Sequence, residues 1–247
     1  MLSPEYVSQL VLSVLAALIA LSVHEFSHAL AAYKLGDPTA RSLGRLTINP
    51  MKHLDLYGTL CMVFFHFGWA RPVPINPRYF KKPTRDFAIT ALAGPLANII
   101  LGFFSALVYL LCVNFFPYTD NVFLNNVFFN TVIFVFLFHL LNVGLGIFNL
   151  LPIPPFDGSR IINVFLPKKI YFGIMKYERY IYMGVIAWLL LGTTVYEASM
   201  SIDFIASNNV LSGIVRIFSL STLISDAISA VSVLMMKAWA WIPGIEL

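Results

Sequence analysis

Long apolar runs, separated by polar or proline-containing segments, constrain the fold of this chain more than any other feature. These runs cover residues 6–33, 87–113, 127–151 and 180–196. A helix needs about 20 apolar residues to cross the hydrocarbon core of a bilayer. The first three runs reach that length, and the fourth is short but adequate. The pattern therefore predicts an all-α polytopic membrane protein.

The composition supports this prediction and excludes other classes of protein. Only 11% of the 247 residues are charged, whereas soluble domains carry about 25%. The basic residues are few and lie between the apolar runs, so they are better explained as topology signals than as a nucleic-acid surface. We therefore expect the lipid bilayer to be a partner of this chain, and we expect no nucleic acid.

The positions of the basic residues also predict how the chain lies in the membrane. Nine of the 16 Lys and Arg residues lie within 34–85, and five more lie within 160–179. Because cytosolic loops are enriched in Lys and Arg, both segments are expected in the cytosol and the N-terminus outside. The expected location is the cell membrane, with several crossings.

Two parts of the chain depart from the simple pattern of apolar runs. The segment 39–85 carries scattered charges, glycines and prolines, and Arg45–Ile48 looks like a short strand. We interpret this segment as a re-entrant or interfacial β element that is covered by protein. Residues 210–241 predict one more apolar helix, which either spans the membrane or lies at its surface. The expected division is a membrane-embedded domain over 1–200, followed by this helix within 201–247.

The chemistry is indicated by His24-Glu25-Phe26-Ser27-His28, which lies inside the first apolar run. On a helix, His24 and His28 point the same way and can share a metal ion. Glu25 lies beside them, where it can act as a base. This order is typical of zinc hydrolases, in which the glutamate takes a proton from zinc-bound water. The motif lies about 15 Å before Lys34, and ionisable groups at that depth need partners. One Zn²⁺ per chain is expected.

A catalytic zinc ion needs a third protein ligand, and the spacing of residues leaves several candidates. They are Asp157, His53, His66, His139 or an acidic residue such as Asp55. Asp157 is preferred because prolines end the third apolar run just before it and Gly158 permits a tight turn. The carboxylate of Asp157 can then point back toward the histidines.

Four stretches resemble the site-2 protease family of intramembrane metalloproteases, in the short prokaryotic branch without PDZ or CBS domains. They are HEFSHALAAYKLGDPTARSLGRLTINPMKHLDLYGT at 24–59, GWARPVPINP at 68–77, ALAGPLAN at 91–98 and FNLLPIPPFDGSR at 148–160. The resemblance implies a catalytic core of three helices with a short re-entrant β element, and the additional C-terminal helices expected after about residue 200 lie outside the resemblance. The distance of the motif from Lys34, at the expected cytosolic end of the first run, predicts that the active site lies nearer the cytosolic side.

The resemblance further implies roles for individual residues. His24, His28 and Asp157 match the zinc ligands of the family, and Glu25 matches its catalytic base. Asn149 matches an asparagine that positions the substrate or polarises the scissile carbonyl. The implied substrate-binding residues are Gly94, Pro95 and Asn98 of the second core helix, and Arg45, Leu46, Thr47 and Ile48, on which a substrate can pair as an added strand.

Together these features predict an intramembrane zinc endopeptidase that cleaves transmembrane segments of membrane-protein substrates. A membrane metal transporter is one alternative, but it would need successive ligand sites along a polar path, and the apolar runs offer one cluster. An inactive homologue that serves as a binding partner is another, although all the expected catalytic residues are present. Helix packing is the alternative role for Asn98 and Asn149.

Overall fold

The computed structural model describes residues 3–65, 68–116 and 119–247. In these ranges the regular structure is helical: α1 (Pro4–Lys34), α2 (Thr39–Ser42), α3 (Leu56–Phe65), α4 (Pro83–Phe115), α5 (Val122–Asn149), α6 (Asp157–Ile162), α7 (Lys168–Met175), α8 (Glu178–Met200), α9 (Asp203–Ala206), α10 (Asn209–Phe218) and α11 (Leu220–Trp239). Of the helices described, α1, α4, α5, α8 and α11 are long and apolar enough to cross a membrane. The chain is an all-α polytopic membrane protein, as the sequence predicts.

Helices α1, α4 and α5 pack against one another and form the centre of the molecule. Lipid tails are as apolar as the side chains, so small residues and buried polar bonds hold such helices together. At Gly102 of α4, an added Cβ would lie 2.8 Å from Val143 Cγ2, so α5 lies directly against the backbone of α4. The carbonyl of Gly102 also pairs with Nδ1 of His139 at 2.8 Å.

One face of α5 is buried against this centre. His139 and Asn142 are fully buried, and Gly146 is buried one turn further along the helix. The spacing of these residues predicts an inward-facing polar stripe, and the structure confirms it for these three positions. Asn149, at the end of the same stripe, is only half-buried.

The end of α1 is tied to the segment that leads into α4. Asp37 is fully buried and accepts hydrogen bonds from the backbone N–H of Thr39 at 2.9 Å and of Asn76 at 2.7 Å. Gly36 precedes it with φ of 107°, a conformation that favours glycine. This carboxylate therefore holds residues 70–80 beside the C-terminal half of α1, close to the histidine motif.

The strand predicted at Arg45–Ile48 is wrong, because none of the described residues belongs to a strand. The Arg45 N–H donates to the carbonyl of Ala40 at 2.8 Å, as a continuation of the turn that ends α2. The Thr47 carbonyl pairs with His53 Nε2 at 2.7 Å. Because these backbone groups are bonded within the segment itself, residues 45–48 pair with no other strand among the described residues.

The β element is reduced to one isolated antiparallel bridge between Leu54 and Ala70, beside which the Arg71 N–H donates to the His53 carbonyl at 2.8 Å. The chain between the two sides of this bridge forms the short apolar helix α3. His66, one of the candidate ligands, lies outside the described residues. The described part of the segment thus contains one bridge and a short helix in place of a β element.

The C-terminal segment is divided into two helices rather than the single helix expected over 210–241. The break falls at Ser219, which has an extended backbone and accepts the N–H of Thr222 on its hydroxyl oxygen as the N-cap of α11. The start of α11 packs beside Phe156, and at its end Trp239 Nε1 donates to the Phe103 carbonyl at 3.0 Å. Helix α11 therefore runs along the α4–α5 pair.

Candidate metal centre

The two histidines of the motif lie on the face of α1 that packs against α4. His24 and His28 are 4% and 5% exposed, and their Nε2 atoms are 3.0 Å apart. Their rings meet edge to face, at 87° and a centroid distance of 4.5 Å. The four-residue spacing therefore brings the imidazoles together as the sequence predicts.

Asp157 is the first residue of α6 and completes the cluster. Its Oδ2 atom lies 3.2 Å from His24 Nε2 and 3.1 Å from His28 Nε2. The following residue, Gly158, lies so close to the end of α5 that an added Cβ would come within 3.0 Å of the Leu150 and Leu151 carbonyl oxygens. The tight turn expected after the prolines thus places the Asp157 carboxylate beside the two histidines.

The donor atoms of the cluster fit a bound cation. One atom from each of His24, His28 and Asp157 lies within 4.8 Å of the others. Nδ1 of His28 faces the Thr90 carbonyl at 2.7 Å, and a carbonyl oxygen only accepts, so Nδ1 donates and Nε2 presents its lone pair. Lone pairs that converge at about 3 Å repel unless a cation lies between them, and two imidazole nitrogens with one carboxylate oxygen suit zinc.

The other candidate ligands have different partners. His53 pairs with the Thr47 carbonyl, and His139 pairs with the Gly102 carbonyl in the α4–α5 interface. Asp55 Oδ1 accepts the N–H of Gly58 at 2.9 Å, at the start of α3. The described residues therefore bring Asp157, rather than His53, Asp55 or His139, to the two histidines.

Helix α4 lies directly against the two imidazoles at Gly94. A Cβ added at this position would lie less than 3.0 Å from ring atoms of both His24 and His28. Pro95, the next residue, faces α5 instead: a Cβ added at Gly146 would lie 3.3 Å from its carbonyl oxygen. The structure thus places Gly94 against the metal-binding side chains and Pro95 at the interface between α4 and α5.

Glu25 projects from α1 toward the segment that precedes α4. It is 9% exposed, and its Oε2 atom accepts a hydrogen bond from the backbone N–H of Val73 at 2.7 Å. Sequence reasoning did not find this contact, because the two residues are 48 positions apart and a backbone N–H has no residue signature. The bond fixes one oxygen of the carboxylate and so orients the other.

Arg45 supports the same part of the site through a bond to the backbone of residue 71. Its side chain is buried, and Nη2 donates to the Arg71 carbonyl at 2.6 Å, two residues before Val73. The pKa of the Arg45 guanidinium is lowered, mainly by burial, and the nearby negative charge of Glu25 offsets part of this effect. Arg45 therefore holds residues 71–73 in position next to Glu25.

The remaining residues implied by the resemblance are spread around the site. Leu46 packs against a small cluster that includes Ala29 and Val73, whereas Ile48 is 63% exposed. Asn149 lies at the end of α5, and its amide donates to the Leu145 carbonyl of the same helix at 3.0 Å. Asn98 is fully buried, with its Oδ1 atom 2.6 Å from His24 Nδ1.

A His-His-Asp cluster beside a buried glutamate, with both histidines in a helix long enough to cross a bilayer, is typical of membrane-bound zinc metalloproteases. The chain belongs to peptidase family M50, the site-2 protease family, whose sequence model matches residues 12–192. The protein is accordingly a zinc metalloprotease, and Zn²⁺ is its cofactor.

Two curated proteins illustrate the relationship. The chain is 40% identical over 183 residues to "Putative zinc metalloprotease YwhC" of Bacillus subtilis (strain 168), covering 73% of this chain and 80% of that protein. It is 32% identical over 158 residues to "Putative zinc metalloprotease Rip2" of Mycolicibacterium smegmatis (strain ATCC 700084 / mc(2)155), covering 62% of this chain and 56% of that protein. No solved structure matches the chain significantly.

Proposed function

We propose that this protein is an intramembrane endopeptidase that cleaves transmembrane segments of membrane-protein substrates. The observation that carries the proposal is the position of the His24, His28 and Asp157 donors, which are buried where an apolar helix of 31 residues packs against α4. His24 lies ten residues before the end of α1 at Lys34, about 15 Å along the helix. A site at this depth suits a peptide bond that lies within the membrane.

The roles of the residues follow from their positions. A zinc ion held by His24, His28 and Asp157 would lower the pKa of a water molecule and polarise the scissile carbonyl. Glu25 takes a proton from the attacking water and returns it to the leaving amine. The Val73 N–H holds Glu25 Oε2, which leaves Oε1 to face the water.

Asn149 is the proposed donor to the carbonyl oxygen of the substrate, where negative charge develops during attack. Its position supports this role, because it is half-buried at the end of α5, eight residues before Asp157. Its amide now donates to the carbonyl of Leu145, so a rotation of the side chain has to release that bond.

The substrate is proposed to enter beside the re-entrant segment. Thr47 and Ile48 are partly or largely exposed there, so an unwound substrate could contact this stretch when it binds. The fully buried Asn98 and the buried Arg45 are better explained as supports of the site than as substrate contacts.

The proposed arrangement in the membrane has the N-terminus outside and the metal centre nearer the cytosol of a cell membrane. Its support is the placement of 14 of the 16 basic residues in 34–85 and 160–179. We also propose that residues 1–200 form the proteolytic domain. Residues 201–247 would then be an addition that packs against it through α11.

Glu25→Gln tests the proposal most simply. The variant retains zinc, because Glu25 is not a ligand, but it loses cleavage of membrane-embedded substrates. Membrane-protein fragments are compared quantitatively in cells that carry the wild type, Glu25→Gln or the control Glu5→Gln, which alters an exposed glutamate of the same helix. Wild-type fragment levels in the Glu25→Gln cells would contradict the proposed mechanism.

A further inference from the structure

A chain of buried amide groups connects the metal centre to the interior of the helix bundle. Asn98 of α4 faces His24 Nδ1 with its Oδ1 atom at 2.6 Å. Its Nδ2 atom donates to the Ala20 carbonyl at 3.2 Å and to Asn142 Oδ1 at 2.8 Å. Asn142 in turn donates from Nδ2 to the Phe138 carbonyl at 2.8 Å. The chain thus links α1, α4 and α5.

The direction of every bond in this chain is determined by two backbone carbonyls. A carbonyl oxygen only accepts, so the NH₂ group of Asn142 must face Phe138, and its Oδ1 atom must face Asn98. The NH₂ group of Asn98 must likewise face Ala20. Its Oδ1 atom is then an acceptor directed at His24, so Nδ1 of His24 must carry the proton.

The consequence for the metal centre concerns the tautomer of His24. A neutral imidazole carries one proton, so protonation at Nδ1 leaves the lone pair of Nε2 free for a metal ion. Nε2 is the atom that lies 3.2 Å from Asp157 Oδ2. The amide chain therefore holds His24 in its metal-binding tautomer before any ion arrives.

The second histidine obtains the same tautomer by a different means. His28 Nδ1 donates to the backbone carbonyl of Thr90, which no side-chain substitution removes. His24 depends on a side chain, and Asn98 is fully buried with each of its polar atoms paired. A side-chain substitution can therefore change the orientation of His24, whereas the backbone partner of His28 stays in place.

We infer that Asn98, oriented by Asn142, is a positioning residue that fixes the tautomer of His24 and thereby sets the zinc affinity of the site. The inference rests on the ligands named in the proposed function. Groups that orient metal-binding histidines typically contribute about 10- to 100-fold to metal affinity.

The test compares Asn98→Leu, which removes the acceptor at similar volume, with Asn98→Asp, which keeps an acceptor facing His24. The zinc dissociation constant of the full-length protein in detergent is measured by competition with a chelator. The visible spectrum of the Co²⁺-substituted protein is recorded as a second readout.

We expect Asn98→Leu to bind zinc about 10- to 100-fold more weakly than the wild type and to show an altered Co²⁺ spectrum. Asn98→Asp should recover part of the affinity, because it keeps the acceptor for His24 but its second oxygen cannot donate to the Ala20 carbonyl or to Asn142 Oδ1. Asn142→Leu should show a smaller loss than Asn98→Leu.

His139→Leu is the matched control, because it removes another buried bond between α4 and α5 that does not lead to His24. It should leave the zinc affinity unchanged. Equal zinc affinity in Asn98→Leu and the wild type would overturn the inference. So would an equal loss in Asn98→Leu and His139→Leu, since that result would indicate a general packing defect. A wild-type protein that binds no zinc would instead overturn the proposed function together with this inference.

Discussion

The three-helix centre and the irregular segment between α1 and α4 use buried polar side chains in different ways. In α1, α4 and α5 the backbone is satisfied within each helix, so His24, Asn98 and Asn142 can bond to one another as well as to helix carbonyls, and they build the metal centre. In the irregular chain after α1, the buried side chains of Asp37 and Arg45 bond to backbone groups that no helix satisfies. In this chain, the regular helices leave polar side chains available for the metal centre, whereas the irregular segment uses them to satisfy its own backbone.

The comparison predicts the largest effect where a helix backbone touches the zinc ligands. In Gly94→Val, the added side chain must displace the imidazoles of His24 and His28. We expect loss of bound zinc and a fall in proteolysis of about three orders of magnitude. Zinc content by elemental analysis and cleavage of a membrane-embedded substrate measure the two effects.

Gly184→Ala is the control for this prediction, because an added Cβ at Gly184 of α8 meets nothing within 4 Å. It should leave both quantities unchanged. Normal zinc content in Gly94→Val would show that α4 is not what positions the two histidines.

An intermediate effect is expected where the irregular segment supports the catalytic base. Arg45→Met removes the bond to the Arg71 carbonyl and loosens the stretch that presents the Val73 N–H to Glu25. We expect the cleavage rate to fall about 10- to 100-fold while zinc affinity stays normal, because small displacements of a catalytic group cost about that much.

The control is Arg41→Met, which changes an exposed arginine of the same segment that is bonded to Tyr33. Parallel measurements of zinc affinity and cleavage distinguish a role of Arg45 in supporting Glu25 from a role in supporting the metal centre. A loss of zinc in Arg45→Met would mean that the segment between α1 and α4 supports the metal centre itself, and the contrast between the two regions would fail.

The smallest effect is expected at the attachment of the segment to α1. Asp37→Asn replaces the oxygen that accepts the Asn76 N–H with an NH₂ group, which cannot accept. Local unfolding of residues 74–79 should become easier by about 1–3 kcal/mol. Hydrogen exchange of those amides measures the change, with the exposed-loop variant Asp120→Asn as control. Unchanged exchange would show that Asp37 does not hold the segment.

The same contrast explains which features could be predicted from the sequence. His24 and His28 are separated by one turn of a single helix, so their spacing alone places them on one face. Asp157 could be predicted from the prolines and glycine around it and from the resemblance to the family. Asn98 was expected only as a packing residue or substrate contact, because its partner His24 is 74 positions away.

The irregular parts of the chain were predicted less well, for a common physical reason. The Leu-Thr-Ile pattern at 46–48 favours a strand, but a strand forms only with a partner, and the local turn around Gly44 with φ of 65° competes with it. The break at Ser219 lies inside a long apolar run, where a single serine gives little warning of an N-cap. The contact between Val73 and Glu25 depends on tertiary structure alone.

X-ray absorption at the zinc edge of the purified protein tests the central claim most directly. The account predicts one zinc per chain, bound by two imidazole nitrogens and a carboxylate oxygen at about 2.0–2.2 Å, with one further light-atom ligand. The Glu25→Gln protein should give the same ligand set, and His28→Ala should lose the metal. Sulfur ligands, or an unchanged metal site in His28→Ala, would contradict the account.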